Sequence, residues 1–560
     1  MGQYGKGTPV WRIKALKKRE ECEDKLPKEW VIPKTLWETL PLPLEENKVN
    51  LIDLDIIRRS NVLTEREFEI TENHTVVSLL EGLSTGKFTA LDVTTAFCKR
   101  AAVAGQLTNC ITETLFDSAL ARAKELDLMR ENGQLKGPLH GLPISVKDCL
   151  QIAGTQATIG FTAYLDQPPS EENSCLVDML LDLGAVLYVK TNVPQTLMTA
   201  DSENIIFGRT LNPWNTMLTA GGSSGGEGAL IALRGSPLGI GTDVAGSIRI
   251  PALCCGLYGF KPSASRIPDS KQQGYGTGGL RTIYGSVGPI ANDMDALEIL
   301  SRAVLGASPR PALYDPGVLD IPWREIGEVK PRLRFGFLLE DPTFPLHPPV
   351  RATLEEAASR LKDAGHEIIP LPVEECHLAY ALEVVWKFFS LDDSASEVVA
   401  QGREPPIASR AVVAKLVQEL GSRFVPGFEG MAPLDRLSIL NIKRGEIIKY
   451  WHTLWQKYDL DAVICPPAPN TAVEHDMYGL TPYTSFLNLV DYPACVIPFR
   501  RAGKFPDVKR QEVQFVPDYN GSSLEGAPCS IQVFTRRLRD EECLAISKVV
   551  DGCLHGAQAP

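Results

Sequence analysis

Positive charge is in short supply in this sequence. Lys and Arg total 57 against 69 Asp and Glu, a net charge of -12. No surplus basic surface is left to neutralise phosphates, so electrostatic binding of nucleic acid is not expected. Paired cysteine motifs are missing too: thirteen cysteines run from Cys22 to Cys553 without one CxxC, and an odd number cannot close into a complete disulfide set. Reduced thiols in the cytoplasm are the expectation. No cluster of His, Cys, Asp and Glu has metal-ligand spacing, so no metal is expected. The N-terminus, MGQYGKGTPVWRIKALKKRE, has no apolar core of signal-peptide type. Lys6 stands where a myristoylation motif needs Ser or Thr, and no uncharged run is long enough to span a bilayer.

At 560 residues, 44% hydrophobic and 22% charged, the chain can bury a large core, and its length alone does not divide it into domains. Residues 1–75 are charged and broken by prolines (LPKEWVIP, ETLPLPLEEN), with a helix expected from Trp11 to Leu26 bearing a basic stripe. Charge runs usually face solvent, so this stretch reads as a surface-packed extension, its first ten residues without structure. From His74 to Glu131 the spacing predicts two packed helices, VVSLLEGLSTG and LDVTTAFCKRAAVAG, each stopped by glycine. LPISVKD and AVLYVKT read as buried strands around the helix SCLVDMLLDLG, and RLRFGFLLE, HEIIPLPV, AVICPP and ACVIPF read as strands further on. This alternation predicts α/β class: residues 76–560 as one large α/β/α domain with a mixed central sheet covered by helices. The glycine-rich stretch from Arg266 to Gly288 reads as a long loop at the rim of a site.

Two glycine loops bear serines: Gly221-Gly222-Ser223-Ser224-Gly225-Gly226 and Asp243-Val244-Ala245-Gly246-Ser247. Both lie downstream of Lys147, which ends a predicted strand. Glycine lets a backbone approach a ligand and turn N–H groups inward, as an oxyanion hole requires. A serine nucleophile needs a base. The chain has eight histidines, none near either loop, so a buried neutral lysine is the candidate, since burial disfavours the ammonium.

GPLHGLPISVKD, GAVLYVKTNVPQ and TAGGSSGGEGALIALRGSPLGIGTDVAGSIRIPALCCGLYGFKP together resemble the amidase signature family, most specifically over residues 137–262, with weaker likeness from Val62 to SFLNLVDYPACVIP. LPKEWVIP and the stretch from Asn61 to Glu67 look like its fungal acetamidase branch, to which fatty acid amide hydrolases are related. The resemblance implies the amidase signature fold, no cofactor, and hydrolysis of a small-molecule carboxylic amide to carboxylate plus ammonia or amine; it leaves a homodimer open. Carried over by motif, Lys147 is the base, Ser223 the bridging serine after a cis Gly222–Ser223 bond, and Ser247 the nucleophile that forms the acyl-enzyme. The N–H groups of Val244, Ala245, Gly246 and Ser247 would hold the oxyanion, and Leu197 and Ser223 would touch substrate. One departure stands out: most of the family has glycine where this chain has Ala245, so a positive φ there would strain the loop. With Asp243 and Arg249 read as a structural ion pair that stiffens the loop, and Cys254-Cys255 as core, the chemistry rests on the lysine and the serines.

Other readings use the same residues. Gly221 to Gly225 also satisfies the G-x-S-x-G elbow of Ser-His-Asp hydrolases, although NPWNTMLTA before it lacks the required strand. A phosphate-binding loop fails because Glu227-Gly228 replaces the Lys-Ser/Thr ending. An amidase-like subunit of an amidotransferase, or an inactive binding relative, would keep the fold without independent hydrolysis.

Overall fold

The computed structural model describes residues 7–508 and 515–556; of the first ten residues, 1–6 lie outside the described residues. The predicted buried strands form β2 (Pro143–Lys147) and β3 (Val186–Thr191), parallel neighbours in which every residue is buried. Runs this apolar suit a sheet covered on both faces. The edge strand β1 (Ile111–Thr114) lies antiparallel to β3, and a separate hairpin pairs β4 (Glu203–Asn204) with β5 (Gly208–Arg209). Beyond β2 the sheet continues through β6 (Leu238–Asp243), β7 (Tyr258–Lys261), β8 (Ser286–Ala291), β9 (Arg334–Phe337), β10 (Glu367–Pro370), β11 (Ala462–Cys465), β12 (Ala494–Arg501) and β13 (Pro528–Phe534). Its eleven strands run in the order β1-β3-β2-β6-β8-β7-β12-β13-β11-β9-β10. Parallel pairs (β3/β2/β6 and β11/β9/β10) flank an antiparallel middle, so the sheet is mixed and the architecture is a single α/β domain.

Several expectations are corrected here. The stretch from His74 to Glu131 holds three helices, Val76–Thr85, Ala90–Thr108 and Phe116–Glu131, with β1 between the last two. The predicted loop from Arg266 to Gly288 ends early, because β8 begins at Ser286. Strands β6, β7 and β8 escape a reading of apolar runs because glycine takes the place of β-branched residues in LGIGTD, YGFK and SVGPIA. The glycines serve close approach: a Cβ on Gly288 would stand 2.2 Å from the Phe260 carbonyl oxygen.

Within the basic stripe of the Val10–Asp24 helix, Arg12, Lys17 and Arg19 are exposed as expected, whereas Lys18 turns into the body. Lys18 pairs with the buried Glu113 of β1, Lys25 reaches the same carboxylate at 2.7 Å, and Cys22 Sγ meets the Thr112 carbonyl at 3.2 Å. The sheet edge that β1 would otherwise expose is thereby covered. Among the described residues, no helix is long and apolar enough to cross a membrane.

Candidate active site

Strands β2 and β6 are parallel neighbours, with Ser145 opposite Gly239 and Val146 opposite Ile240. Their carboxyl ends therefore deliver Lys147 and Asp243 to one edge of the sheet, where open α/β sheets place their ligands. From the same edge, the turn at 220–224 opens the Gly225–Ala232 helix, and the turn after β6 opens the Arg249–Cys255 helix. Two serine loops and a lysine, far apart in sequence, meet for this topological reason.

Lys147 is fully buried. Its Nζ lies 2.7 Å from Ser223 Oγ and 2.8 Å from Thr242 Oγ1. Among the described residues it has no carboxylate within ion-pair reach. Burial pushes the ammonium down to about 8, against the upward pull of Cys149, Asp243 and Glu227. The Gly222–Ser223 peptide is cis. Ser247 sits close by: the Ser224 N–H donates to its carbonyl at 3.2 Å, and Ser247 itself lines the cavity that Gly222 also borders.

Asp243 and Arg249 form a fully buried pair, Nη2 to Oδ1 at 2.8 Å and Nε to Oδ2 at 3.0 Å. Arg249 also donates to Gln532 Oε1 (3.0 Å), to the Thr484 carbonyl (3.1 Å) and to Asn488 Oδ1 (2.7 Å). The loop from Asp243 to Ser247 is thus fastened to β13 and to the Pro482–Leu489 helix. Burial pushes the Asp243 carboxyl up, but the Arg249 charge and its hydrogen bonds more than reverse this and hold it well below the usual carboxylate range.

The expected set of four oxyanion donors needs one correction. The Gly246 N–H already donates to Asp243 Oδ1 at 2.8 Å, which leaves the N–H groups of Val244, Ala245 and Ser247, three residues that line the cavity. The positive φ in this loop falls on Gly246 (125°) and not on Ala245, so the Ala245 methyl meets no backbone objection. A Cβ at Gly246 would stand 2.5 Å from Thr484 Oγ1, whose hydroxyl donates to the Ala245 carbonyl at 2.8 Å. Leu197, in left-handed conformation (φ 59°), borders the same cavity, as do Trp386, Phe389 and Leu480. The cavity is small, about 40 Å³, and its walls are largely apolar. Cys254 and Cys255 are buried thiols, and all thirteen cysteines are unpaired. Ser223 follows turns, not a strand, and meets a lysine in place of a histidine, so the elbow reading fails.

Thr242, Asn488 and Gln532 were invisible as site residues because each acts through a partner far along the chain. Glu227 was more legible. It is the one charged residue in the helix GGEGALIA, whose residues from Gly225 to Ile231 are all buried, so its carboxyl had to lie inside.

A buried lysine set among glycine-serine loops at the carboxyl edge of a mixed sheet suits serine-based hydrolysis, and likeness to known proteins gives the class: an amide hydrolase. The chain belongs to the Amidase family, whose description matches residues 92–544. It is 37% identical to an amidase of Gibberella moniliformis over 96% of this chain and 98% of that protein. It is 35% identical to an acetamidase of Emericella nidulans over 98% and 99% of the two chains. Among solved structures, a fatty acid amide hydrolase superposes with TM-score 0.86 at 28% identity, covering 98% of this chain and 96% of that one.

Proposed function

We propose that this amide hydrolase works through an acyl-enzyme on Ser247, with Ser223 and Lys147 as its proton relay. The contact of 2.7 Å between Lys147 Nζ and Ser223 Oγ, inside a fully buried environment, is the observation that supports this reading best. Neutral Lys147 draws a proton from the Ser223 hydroxyl as Ser223 takes the proton of Ser247, and Ser247 Oγ attacks the amide carbonyl. The N–H groups of Val244, Ala245 and Ser247 receive the developing oxyanion, where each donor lost costs roughly 3–4 kcal/mol. The proton returns along the same path to the leaving nitrogen, which could not depart as an amide anion. Water then enters by the reverse sequence and frees the carboxylate.

The cavity favours a small apolar acyl group. A water needs about 10–15 Å³ of such space, so about 40 Å³ suits an acyl chain of a few atoms. Acetamidases among the relatives agree with this size. The test uses the purified full chain with amides of graded acyl length. Hydrolysis should need no second subunit, kcat/KM should be highest for short acyl groups, and a fluorophosphonate should label Ser247. Ser247→Ala should abolish labelling while Ser224→Ala keeps a measurable fraction. A label mapped to Ser223 or Ser224, or activity only with a partner protein, would overturn the assignment.

A further inference from the structure

Beneath Lys147, a closed group of oxygens surrounds Glu227. Glu227 Oε2 lies 2.5 Å from Ser145 Oγ, and its Oε1 lies 2.9 Å from Thr191 Oγ1. Ser145 Oγ lies 2.9 Å from Ser236 Oγ, which lies 2.8 Å from the Leu238 carbonyl. All four side chains are fully buried. Each close contact between oxygens needs one proton between them, and a hydroxyl supplies only one. Four contacts therefore need four protons, and Ser145, Ser236 and Thr191 bring three. The carbonyl has none to give.

We propose that Glu227 is a positioning residue for the reaction, held as a neutral carboxylic acid that donates from Oε2 to Ser145, so that no anion stands under Lys147 to keep it protonated. The whole chain then points one way: Glu227 donates to Ser145, Ser145 to Ser236, Ser236 to the Leu238 carbonyl, while Thr191 donates to Glu227 Oε1. With Glu227 ionised, one of the four contacts would have two oxygens and no hydrogen, inside a site where an unmet polar contact is costly. Sequence geometry ties the group to the catalytic lysine. Ser145 and Lys147 are two apart on β2 and so face the same side of the sheet.

The surroundings agree. The titratable groups facing Glu227 are Lys147, Cys110 and Tyr188, and burial holds the last two in their neutral forms. Lys147 in turn faces Cys149, Asp243 and Glu227, and Asp243 is already matched by Arg249. Burial raises the Glu227 carboxyl to about 7 even with the Lys147 charge among the influences lowering it; loss of the lysine proton removes that influence. A neutral amine beside a neutral acid holds the same number of protons as an ammonium beside a carboxylate. The hydrogen bonds put the shared proton on the glutamate. Space is shaped for it as well: a Cβ on Gly239 would stand 2.0 Å from Glu227 Oε2.

This inference rests on Lys147 being the base, and its test separates the two. Infrared spectroscopy of the full-length enzyme, with and without carboxyl-labelled glutamate, should show the carbonyl band of a protonated acid that shifts with the label and is missing in Glu227→Gln. That readout does not depend on catalysis. In parallel, Glu227→Gln, whose amide donates to Ser145 and accepts from Thr191, should keep the acid limb of the kcat/KM profile within about 0.3 pH unit. Glu227→Leu should lower turnover by about tenfold through the hydroxyls it strands. No protonated-acid band in the wild type would overturn the proposal even if Glu227→Gln failed to fold. So would a downward move of the acid limb by about one unit in Glu227→Gln, because that variant would then have removed an anion.

Discussion

Replacing Arg249 by Met tests how the loop that carries the proposed nucleophile is held. The side chain keeps much of the bulk and removes every donor. Asp243 would then stand fully buried without its counter-ion, and breaking such a pair by removing one partner costs about 3–5 kcal/mol. The lower end applies, because Asp243 retains the Asn488 amide (3.0 Å) and the N–H groups of Gly246 (2.8 Å) and Ile248 (3.1 Å). A loss of about 3 kcal/mol is a large share of the 5–15 kcal/mol that folded proteins usually have. Urea unfolding should show the midpoint falling with an unchanged slope, and fluorophosphonate labelling of Ser247 should slow with it, since the loop loses its tie to β13 at Gln532 and the Arg249 share of its ties to the Pro482–Leu489 helix. Arg249→Lys should also fall short, because one ammonium cannot span Asp243, Gln532 and Asn488 together. The double variant Asp243→Asn/Arg249→Met removes the stranded charge and should regain part of the stability, but not the labelling rate. A loss under about 1 kcal/mol in Arg249→Met, or no recovery in the double variant, would refute the argument.

Two other predictions follow from single residues. The acid limb of kcat/KM should titrate near 8, with the rate rising as Lys147 loses its proton; Lys147→Met and Lys147→Arg should both be inactive though folded, and near-normal turnover in Lys147→Arg would remove the base from the mechanism. Glu113→Gln should destabilise the chain by about 3 kcal/mol or less, because it strands the buried Lys18 while Glu21, 4.0 Å from Lys18 Nζ, offers a weaker partner; trypsin should then cut the N-terminal helix faster. Burial pushes the Glu113 carboxyl up, yet the two lysines hold it below its ordinary value. Its stabilising effect is therefore present above the ordinary carboxylate range and lost as the pH falls through the lowered folded value.

How much of this could be read in advance differs between the fold and the site. The class, β2, β3 and the strands from β9 onward except β13 were legible because apolar runs bounded by glycine or proline carry their own signal. Strands β6, β7 and β8 were not, since their glycines answer to the neighbouring chain at Phe260 and Ile248 rather than to any periodicity. Loop chemistry pointed to two serine loops and a buried lysine, the resemblance to the amidase signature family singled out Lys147, Ser223 and Ser247, and the structure brings Lys147 and Ser223 into contact. The engaged Gly246 N–H could not be foreseen, because it depends on the Asp243 carboxylate folding back over three residues. Nor could the burial of Lys18, which is set by Glu113, an acid buried on an edge strand that was itself missed.

The two charged residues at the carboxyl ends of β2 and β6 receive opposite treatment, and the contrast is the physical basis of the proposed chemistry. Burial works against the charged form of both. Asp243 is given a guanidinium, an amide and three backbone N–H groups, so it stays ionised and anchors the loop. Lys147 is given only hydroxyls, from Ser223 and Thr242, and a more distant carbonyl at 3.5 Å. Hydroxyls can accept from an ammonium, but they serve a neutral amine equally well, so burial outweighs the upward pull of Cys149, Asp243 and Glu227 and favours loss of its proton. An anion placed under Lys147 would cancel that arrangement. Of the two acids that act on Lys147, Asp243 is matched by Arg249; Glu227 has no such counter-ion among the described residues, and the hydrogen bonds around it call for one proton more than its neighbours supply.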